Sequence, residues 1–571
     1  MDISREEELG FYKFICEKFG TEDIVKYRRI SYAVKDLLEL EDGNVPISSG
    51  STGEGLHFKS SDFDEMNLCT YVHIYEEITE PPYRLPINSF AMETCDTQPG
   101  FTRLRWISEE ICGTVFNWCE AVGQNVYLSN LKVKLLRNTY PHIKVIIHGP
   151  CTTTVTESYD MANCFRCKTW PKVAQQWIYR ARVEWPHPDL ISKIVSYGTL
   201  FVPIGQKNSP YEHIEWRLSF SVSEKLLIFS FCHMQLMCYA LLKIMLKELI
   251  EKSNDILDNM LCSYFLKTVM FWVSEEEPIS FWQPSNLTIC FRRCVQRLLY
   301  FVSYSFLPHY FIPQFNMLEA RMNNAAQSLL VDNLKRIYSE GLTCFRKSNT
   351  LRHFWSSTLE VNNNLDKTVI GRWIETAVEN NDSTRIFWSN KSKLSLIVYN
   401  LIHKVRSKCV RWTFMLHLPY VFQFVGETCM STNNMATNKQ TYKQEIKRGL
   451  PMLLLGLKCD AVSGWIKLGS YFYCRHQIVK SLQVSDYVLT KFTPEKAFGI
   501  RHSDLPYTCH KWIEERILID NRLNINNIYS QIITDDVLFN ANPKSDIFPF
   551  NCRQDWKFFY MSNSPIVFAH F

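Results

Sequence analysis

The sequence predicts an α+β fold in two lobes, and three observations predict it. Turn chemistry after Gly43 leads into stretches of two-residue hydrophobic alternation between Asp62 and Phe165. From about Glu215 that alternation gives way to helical periodicity reaching Tyr338. The composition of the 571 residues, 46% hydrophobic and 14% aromatic, argues for packed cores and against disorder.

Residues 8–40 read as a helix, because Leu9, Tyr12, Cys16 and Phe19 recur at helical spacing. It is expected to stop near Glu41-Asp42-Gly43. The run ISSGSTGEG is a turn, and DFDEMNLCTYVHIY after it alternates as a strand. Further strands are expected at Ile143–Gly149 and Tyr159–Phe165. Helices are expected over Ser223–Glu251, Asp255–Val273, Leu287–Ser305 and Met317–Tyr338. This divides the chain into a sheet-bearing lobe (1–215), a helical lobe (216–335) and an all-helical extension (336–571). In the extension, Trp465–Gly469 (WIKLG), Phe472 and Pro494 resemble part of one tetratricopeptide-type helix pair; plain helical packing is the alternative.

The net charge of +5 rules out a basic tail, so any nucleic-acid contact must come from a local patch. Twenty cysteines in a long chain that opens MDISREEEL, with no apolar leader core, point to a reduced cytoplasmic location. The most apolar stretch, from Leu226, carries His233, Gln235 and Lys243 and reads as a buried helix; no membrane association is expected.

The segment GSTGEGLHFKSSDFDEM, Gly50–Met66, carries the chemistry. On a strand, Asp62 and Asp64 share one face and Phe63 takes the other. Two carboxylates about 4 Å apart repel by roughly 4 kcal/mol at an effective dielectric near 20. Such a pair implies a protonated carboxyl or a divalent cation between them. Upstream, Gly50 and Ser51 with Gly53 and Gly55 form a turn whose amides suit phosphate. A phosphate turn beside paired aspartates describes metal-dependent phosphoryl or nucleotidyl transfer; a polar loop entering an exposed strand is the plainer reading. Such sites need a third carboxylate. Asp160, in SYDMANCF, is the candidate, and Glu157 is its neighbouring competitor. His148, Cys151, Cys164 and Cys167 have zinc-like spacing, yet buried reduced thiols are expected and structural zinc is not.

With these residues in view, the chain resembles the Mab-21 family, and within it the cyclic GMP-AMP synthase-like receptors. The resemblance continues through EWRLSFSVSEK (Glu215–Lys225), CYALLKIMLKEL, CSYFLKT (Cys262–Thr268) and HYFIPQFNML (His309–Leu318). It implies a bilobal nucleotidyltransferase fold with a long N-terminal spine helix. It implies that Asp62, Asp64 and Asp160 hold Mg2+ (or Mn2+) and that Gly50 and Ser51 meet ATP phosphates. Arg217, Ser219 and Ser221 would contact the acceptor nucleotide, usually GTP. Glu224 and Lys243 would bind ATP, and Ser263, Tyr264 and Lys267 would hold its base and phosphates.

The resemblance also implies an activating nucleic acid on the spine helix, where Lys13, Lys18, Lys26, Arg28, Arg29 and Lys35 are available. Lys168, Lys172, Arg180 and Arg182 would extend that surface. The zinc-binding thumb that vertebrate cyclic GMP-AMP synthase inserts after WRLSFS has no counterpart in SVSEKLLIFSFCHMQLMCYALL. This points to double-stranded RNA rather than DNA. The implied product is a cyclic dinucleotide read by a STING-type receptor. The alternatives are a catalytically silent scaffold that uses its helical extension to bind a protein partner, and a template-independent polymerase.

Overall fold

The computed structural model describes residues 3–356, except 39–42, 57, 59–62, 78–84, 136–144, 155–158, 259, 320 and 322. Beyond them it describes 419, 422–423, 426, 449–458, 462–491 and four short strands after residue 496. Two compact units are present: Met1–Val25 with Glu41–Val361, and Lys26–Leu40 with Asn362–Phe571.

The expected first helix is two helices, α1 (Arg5–Phe19) and α2 (Glu22–Leu38). Ser4 opens α1 with a capping box to Glu7. Gly20, at φ 118°, ends it and bonds its N–H to Cys16 O at 2.9 Å. Thr21 then accepts from Ile24 N at 3.5 Å, with Glu22 and Asp23 in the new first turn. The run F-G-T-E-D is a stop followed by a start, which the hydrophobic period alone does not show.

Strand β1 (Asn44–Ser49) leads into the one-turn helix α3 (Gly50–Gly53) and then β2 (Phe63–Cys69). Next come β3 (His73–Tyr75), β4 (Ser89–Glu93), β5 (Phe101–Trp106), α4 (Gly113–Phe116), β6 (Cys119–Val122), β7 (Asn125–Leu128) and α5 (Asn130–Leu135). The hairpin β8 (Val145–His148) and β9 (Cys151–Thr154) precedes β10 (Tyr159–Cys167). Helices α6 (Gln175–Tyr179) and α7 (Pro188–Tyr197) then lead to β11 (Thr199–Val202) and β12 (Glu215–Ser219). These twelve strands form one sheet, ordered β1-β2-β10-β11-β12-β5-β4-β3, with β9 also on β10.

The helices follow: α8 (Ser221–Phe229), α9 (His233–Ile244), α10 (Ser263–Glu276), α11 (Leu287–Ser303), α12 (Asn324–Glu340) and α13 (His353–Ser356). The apolar stretch from Leu226 is broken between α8 and α9, where Gln235 Oε1 accepts the Cys232 N–H at 2.8 Å and restarts the helix. Among the described residues no helix is long and apolar enough to cross a membrane. Sheet and helices share a core rich in rings; Phe220 stacks on Phe311 at 4.5 Å, and Trp177 meets Phe311 at 5.0 Å.

In the second unit, α14 (Ser463–Cys474) and α15 (Ile478–Leu489) form a helix pair. Ser481 Oγ donates to Gly469 O at 3.0 Å, and Trp465 meets Tyr487 at 4.5 Å. The extension is not all-helical as expected. Ala497–Gly499 pairs with Ile532–Thr534, and Asp536–Leu538 with Tyr560–Ser562. Pro494 lies outside the described residues.

Candidate active site

Register places the carboxylates. Strands β2 and β10 run parallel with Asp64 opposite Asp160, β1 sets Ser49 opposite Asp64, and β9 sets Thr153 opposite Asp160. Ser49, Asp64, Asp160 and Thr153 thus occupy one row across four strands, and residues in one row share a face. Neighbouring strands lie about 4.8 Å apart, so two ionised carboxylates in this row repel by roughly 3 kcal/mol at an effective dielectric near 20. On the other face Phe63 stacks on Tyr159 at 5.6 Å, which fixes the register apolarly. The Thr153 hydroxyl donates to Asp160 Oδ1 and orients that carboxylate. Asp62 and Glu157 lie outside the described residues.

The Gly50 turn is built against this row. Gly50 has φ 63°, and a Cβ there would fall 1.7 Å from Asp64 Oδ2. Only glycine lets the chain pass so close to the carboxylate. Gly53 presses on β1, where its Cβ would meet Ser48 O at 2.8 Å. Glu54 N bonds Gly50 O at 3.1 Å and Leu56 N bonds Ser51 O at 2.9 Å, closing the turn. Oxygen donors in adjacent register, a hydroxyl that orients one of them and a backbone without a Cβ are the donor chemistry a hard divalent cation takes. Among the described residues no group of three or more His, Cys, Asp or Glu side chains is gathered as a metal site. The described part is the Asp64–Asp160 pair.

The positions that the resemblance assigns to nucleotide lie on four elements, and of these Glu224, Tyr264 and Lys267 are brought together. Arg217 and Ser219 lie two apart on β12, so they share a face, with Arg217 exposed. Ser221 Oγ meets Met66 Sδ at 2.8 Å, tying α8 to β2. Ser263 is exposed at the start of α10. Lys243 is half-buried with Nζ over the Phe58 ring at 4.6 Å. Glu224 is buried, and burial raises its pKa against the pull of Lys267 and Tyr264. Tyr264 OH donates to Glu224 Oε1 at 3.0 Å and contacts His309 Nε2 at 2.9 Å. His309 Nδ1 accepts from Phe311 N and Ile312 N, each at 3.2 Å, so the ring proton belongs on Nε2. Lys267 Nζ lies 2.5 Å from Glu54 Oε1 and 3.6 Å from Glu224 Oε2.

His309, Glu54, Lys225 and Thr153 are additions that the sequence reading did not assign to the site. Burial, and after it the charge on Arg217, lower the His309 pKa from 6.5 to about 3. The unfolded chain takes that proton near pH 6.5 and the folded chain does not. The histidine's contribution is therefore fully present above pH 6.5 and is lost as pH falls toward 3. Stability is expected to drop by about 1.5 kcal/mol between pH 6.5 and pH 5. Glu224 acts in the opposite sense, its share being lost as pH rises through its raised pKa, so the difference between wild type and His309→Gln isolates the histidine. Urea unfolding at the two pH values reads it, and equal slopes for both proteins would refute the buried neutral imidazole.

The four zinc-like positions are not brought together. Cys164 and Cys167 are three apart on β10 and so face opposite sides. Cys164 packs with Met66, Leu68, Leu200 and Val202, while Cys167 lies in the main core. His148 is exposed opposite Cys151 on the β8–β9 hairpin. Burial pushes both the Cys164 and Cys167 thiols up, as expected of reduced packing cysteines.

The expected basic surface is smaller than its sequence count. Lys13, Lys18 and Lys26 are exposed and Arg29 is half-buried, but Arg28 and Lys35 are buried at 7% and 2% exposure. Arg180 pairs in two contacts with Glu275, and Arg182 lies 3.8 Å from the same carboxylate, so neither extends a phosphate-binding face. Lys172 is paired with Glu77, and Lys168 is exposed.

Two stretches of the chain are similar to domains of known proteins. Residues 104–230 match the Mab-21 protein nucleotidyltransferase domain, and residues 235–336 match the Mab-21 protein HhH/H2TH-like domain. Asp160, Arg217 and Glu224 fall in the first range and Lys243, Tyr264, Lys267 and His309 in the second; Gly50 and Asp64 precede both. A mab-21-like protein of Drosophila melanogaster is 25% identical over 29% of this chain and 46% of its own length. Cyclic GMP-AMP synthase of Mus musculus is 28% identical over 23% of this chain and 28% of its own. The mab-21-like 3 protein of Xenopus laevis is 30% identical over 29% of this chain and 42% of its own. The chain thus spans less than half the length of each of these relatives. Residues 104–230 and 235–336 thus carry the nucleotidyltransferase and HhH/H2TH-like domains of the Mab-21 family.

Proposed function

We propose that the protein is a nucleotidyltransferase that joins ATP with GTP, or another nucleotide pair, into a cyclic dinucleotide. The observation that carries this reading is the register of Asp64 against Asp160 beside a turn whose glycine admits the carboxylate. Asp64 and Asp160, with Asp62, would hold Mg2+, which when bound screens the triphosphate and the developing charge. Each of two steps is an in-line attack of a ribose hydroxyl on an α-phosphorus, with pyrophosphate leaving. Gly50 and Ser51 seat the donor phosphates. Arg217, Ser219 and Ser221 seat the acceptor, and Glu224, Lys243, Ser263 and Tyr264 frame ATP.

Double-stranded RNA is the proposed activator, met through Lys18, Lys26 and Arg29, because A-form RNA is recognised by shape and backbone charge. The product would act on a STING-type receptor in innate immunity, with the protein in the cytoplasm.

Purified protein incubated with four labelled ribonucleotides and Mg2+, with and without double-stranded RNA or DNA, tests the reading. A small product that resists nuclease and phosphatase, and disappears in Asp64→Asn, is expected. Extension of RNA ends would indicate the polymerase instead. Silence under every ligand would favour a scaffold acting through the extension that holds the α14–α15 pair.

A further inference from the structure

Tyr264, in the first turn of α10, has its hydroxyl held from two sides by segments far from it in the chain. Glu224 Oε1, on α8, accepts from it at 3.0 Å, and His309 Nε2, between α11 and α12, lies 2.9 Å away. The direction of this chain is set at its far end. His309 Nδ1 accepts from the N–H groups of Phe311 and Ile312, so the ring proton sits on Nε2 and that nitrogen can only donate. A phenol hydroxyl has one proton to give. The Tyr264 hydroxyl therefore accepts from His309 and donates to Glu224.

His309 is a rigid donor. Its own N–H bonds Phe315 O at 2.9 Å, it is 7% exposed, and the rings of Phe220 and Phe315 flank it at 5.7 and 6.0 Å. Burial and the nearby charge of Arg217 keep it neutral. The Tyr264 ring, by contrast, is half-buried, and His309 is its only aromatic neighbour among the described residues, at 6.1 Å. Holding the hydroxyl from two sides fixes the ring's rotation before a ligand arrives. A ring already fixed loses less freedom when a planar group stacks on it.

We propose that His309 is a positioning residue for nucleobase recognition: its Nε2–H commits the Tyr264 hydroxyl to Glu224 and so holds the Tyr264 ring in the plane on which a base stacks. His309 itself touches no ligand. That the stacked group is a nucleobase rests on the nucleotidyl-transfer reading; the directed hydrogen-bond chain does not.

Two probes bound to the full chain with Mg2+ test this by calorimetry. One is α,β-methylene-ATP, which resists cleavage at the bond the reaction breaks; the other is ribose 5-triphosphate, which lacks the base. Wild type is expected to prefer the first by about tenfold or more. In His309→Asn the side-chain oxygen can still accept from Phe311 and Ile312, but the Nε2–H is gone. Its affinity for α,β-methylene-ATP should fall about fivefold, with ribose 5-triphosphate changed less than about twofold. His309→Gln, whose amide can reach Tyr264, should bind both probes within about twofold of wild type, at lower stability. In a Tyr264→Phe background His309→Asn should cost less than about a further twofold, because both act through one hydroxyl. Where His309→Asn does not fold, His309→Gln and Tyr264→Phe carry the comparison. In turnover the ATP KM should rise about fivefold in His309→Asn with kcat changed less than about twofold.

A folded His309→Asn protein that binds both probes like wild type would overturn the proposal. So would equal losses for both probes, which mark a role in folding alone, or additive losses with Tyr264→Phe. A wild type that binds the two probes equally would overturn it while leaving nucleotidyl transfer standing. A wild type that binds neither would remove both. The expected pattern in a protein that joins no nucleotides would keep the role of His309 and remove the proposed function.

Discussion

Asp160→Asn is expected to lower nucleotidyl transfer by about 10³-fold, the loss typical of removing one preorganised group that stabilises transition-state charge. The substitution keeps size and shape, so Thr153 retains a partner on the side chain and the β2–β10 pairing stays intact. Removing one of two adjacent charges relieves roughly 3 kcal/mol of gross repulsion, of which solvent and neighbouring groups have already offset a part. The variant should therefore unfold at the same temperature as wild type or a few degrees higher in the absence of divalent ions. Mg2+ should raise the wild-type unfolding temperature and leave that of the variant unmoved, because only an ion bound to the folded state stabilises it. A product-forming Asp160→Asn protein, or one that responds to Mg2+ like wild type, would remove the acidic row from the mechanism.

Gly50→Ala is expected to be the second most damaging change, although it adds one methyl group. Two costs combine. An L-residue at φ 63° gives up roughly 1–2 kcal/mol. The new Cβ would lie 1.7 Å from Asp64 Oδ2 and 2.6 Å from its Cγ, so either the turn retreats or the carboxylate swings out of the row. A displacement on the order of 1 Å at a reacting centre costs about 100-fold in rate. Stability should fall by about 1–3 kcal/mol in urea unfolding, and Mg2+ stabilisation should weaken together with activity. Wild-type rate and Mg2+ response in a folded Gly50→Ala protein would show that the turn does not shape the site.

These two residues mark how far local pattern carries. The alternation in DFDEMNLC and the apolar and small neighbours of Asp160 place β2 and β10, because a half-buried strand must alternate. The turn before β2 is equally legible, since three glycines within six residues, Gly50, Gly53 and Gly55, leave few other conformations. The break at Gly20-Thr21 is written in the sequence as a stop and a cap, but hydrophobic period runs across it and hides it. The zinc-like spacing of Cys164 and Cys167 misleads for a similar reason. Three-residue spacing converges in a turn, whereas on β10 it sends the two thiols to opposite faces.

The basic surface shows the opposite limit. Composition counts Arg28, Lys35, Arg180 and Arg182 as charges available to nucleic acid. Packing buries the first two, and Glu275 takes the second pair. Which carboxylate an arginine meets ninety-five residues away in the chain is a long-range outcome that no local pattern encodes.

The residues themselves determined the mixture of strands and helices, the identity of the acidic candidates and the glycine turn beside them, since each follows from short-range periodicity and backbone sterics. The tertiary structure alone decided that Asp160 sits opposite Asp64, that Glu54 meets Lys267 and that His309 is held neutral. Strand register, helix docking and burial depend on segments tens to hundreds of residues apart, and their energies arise only when those segments are brought together.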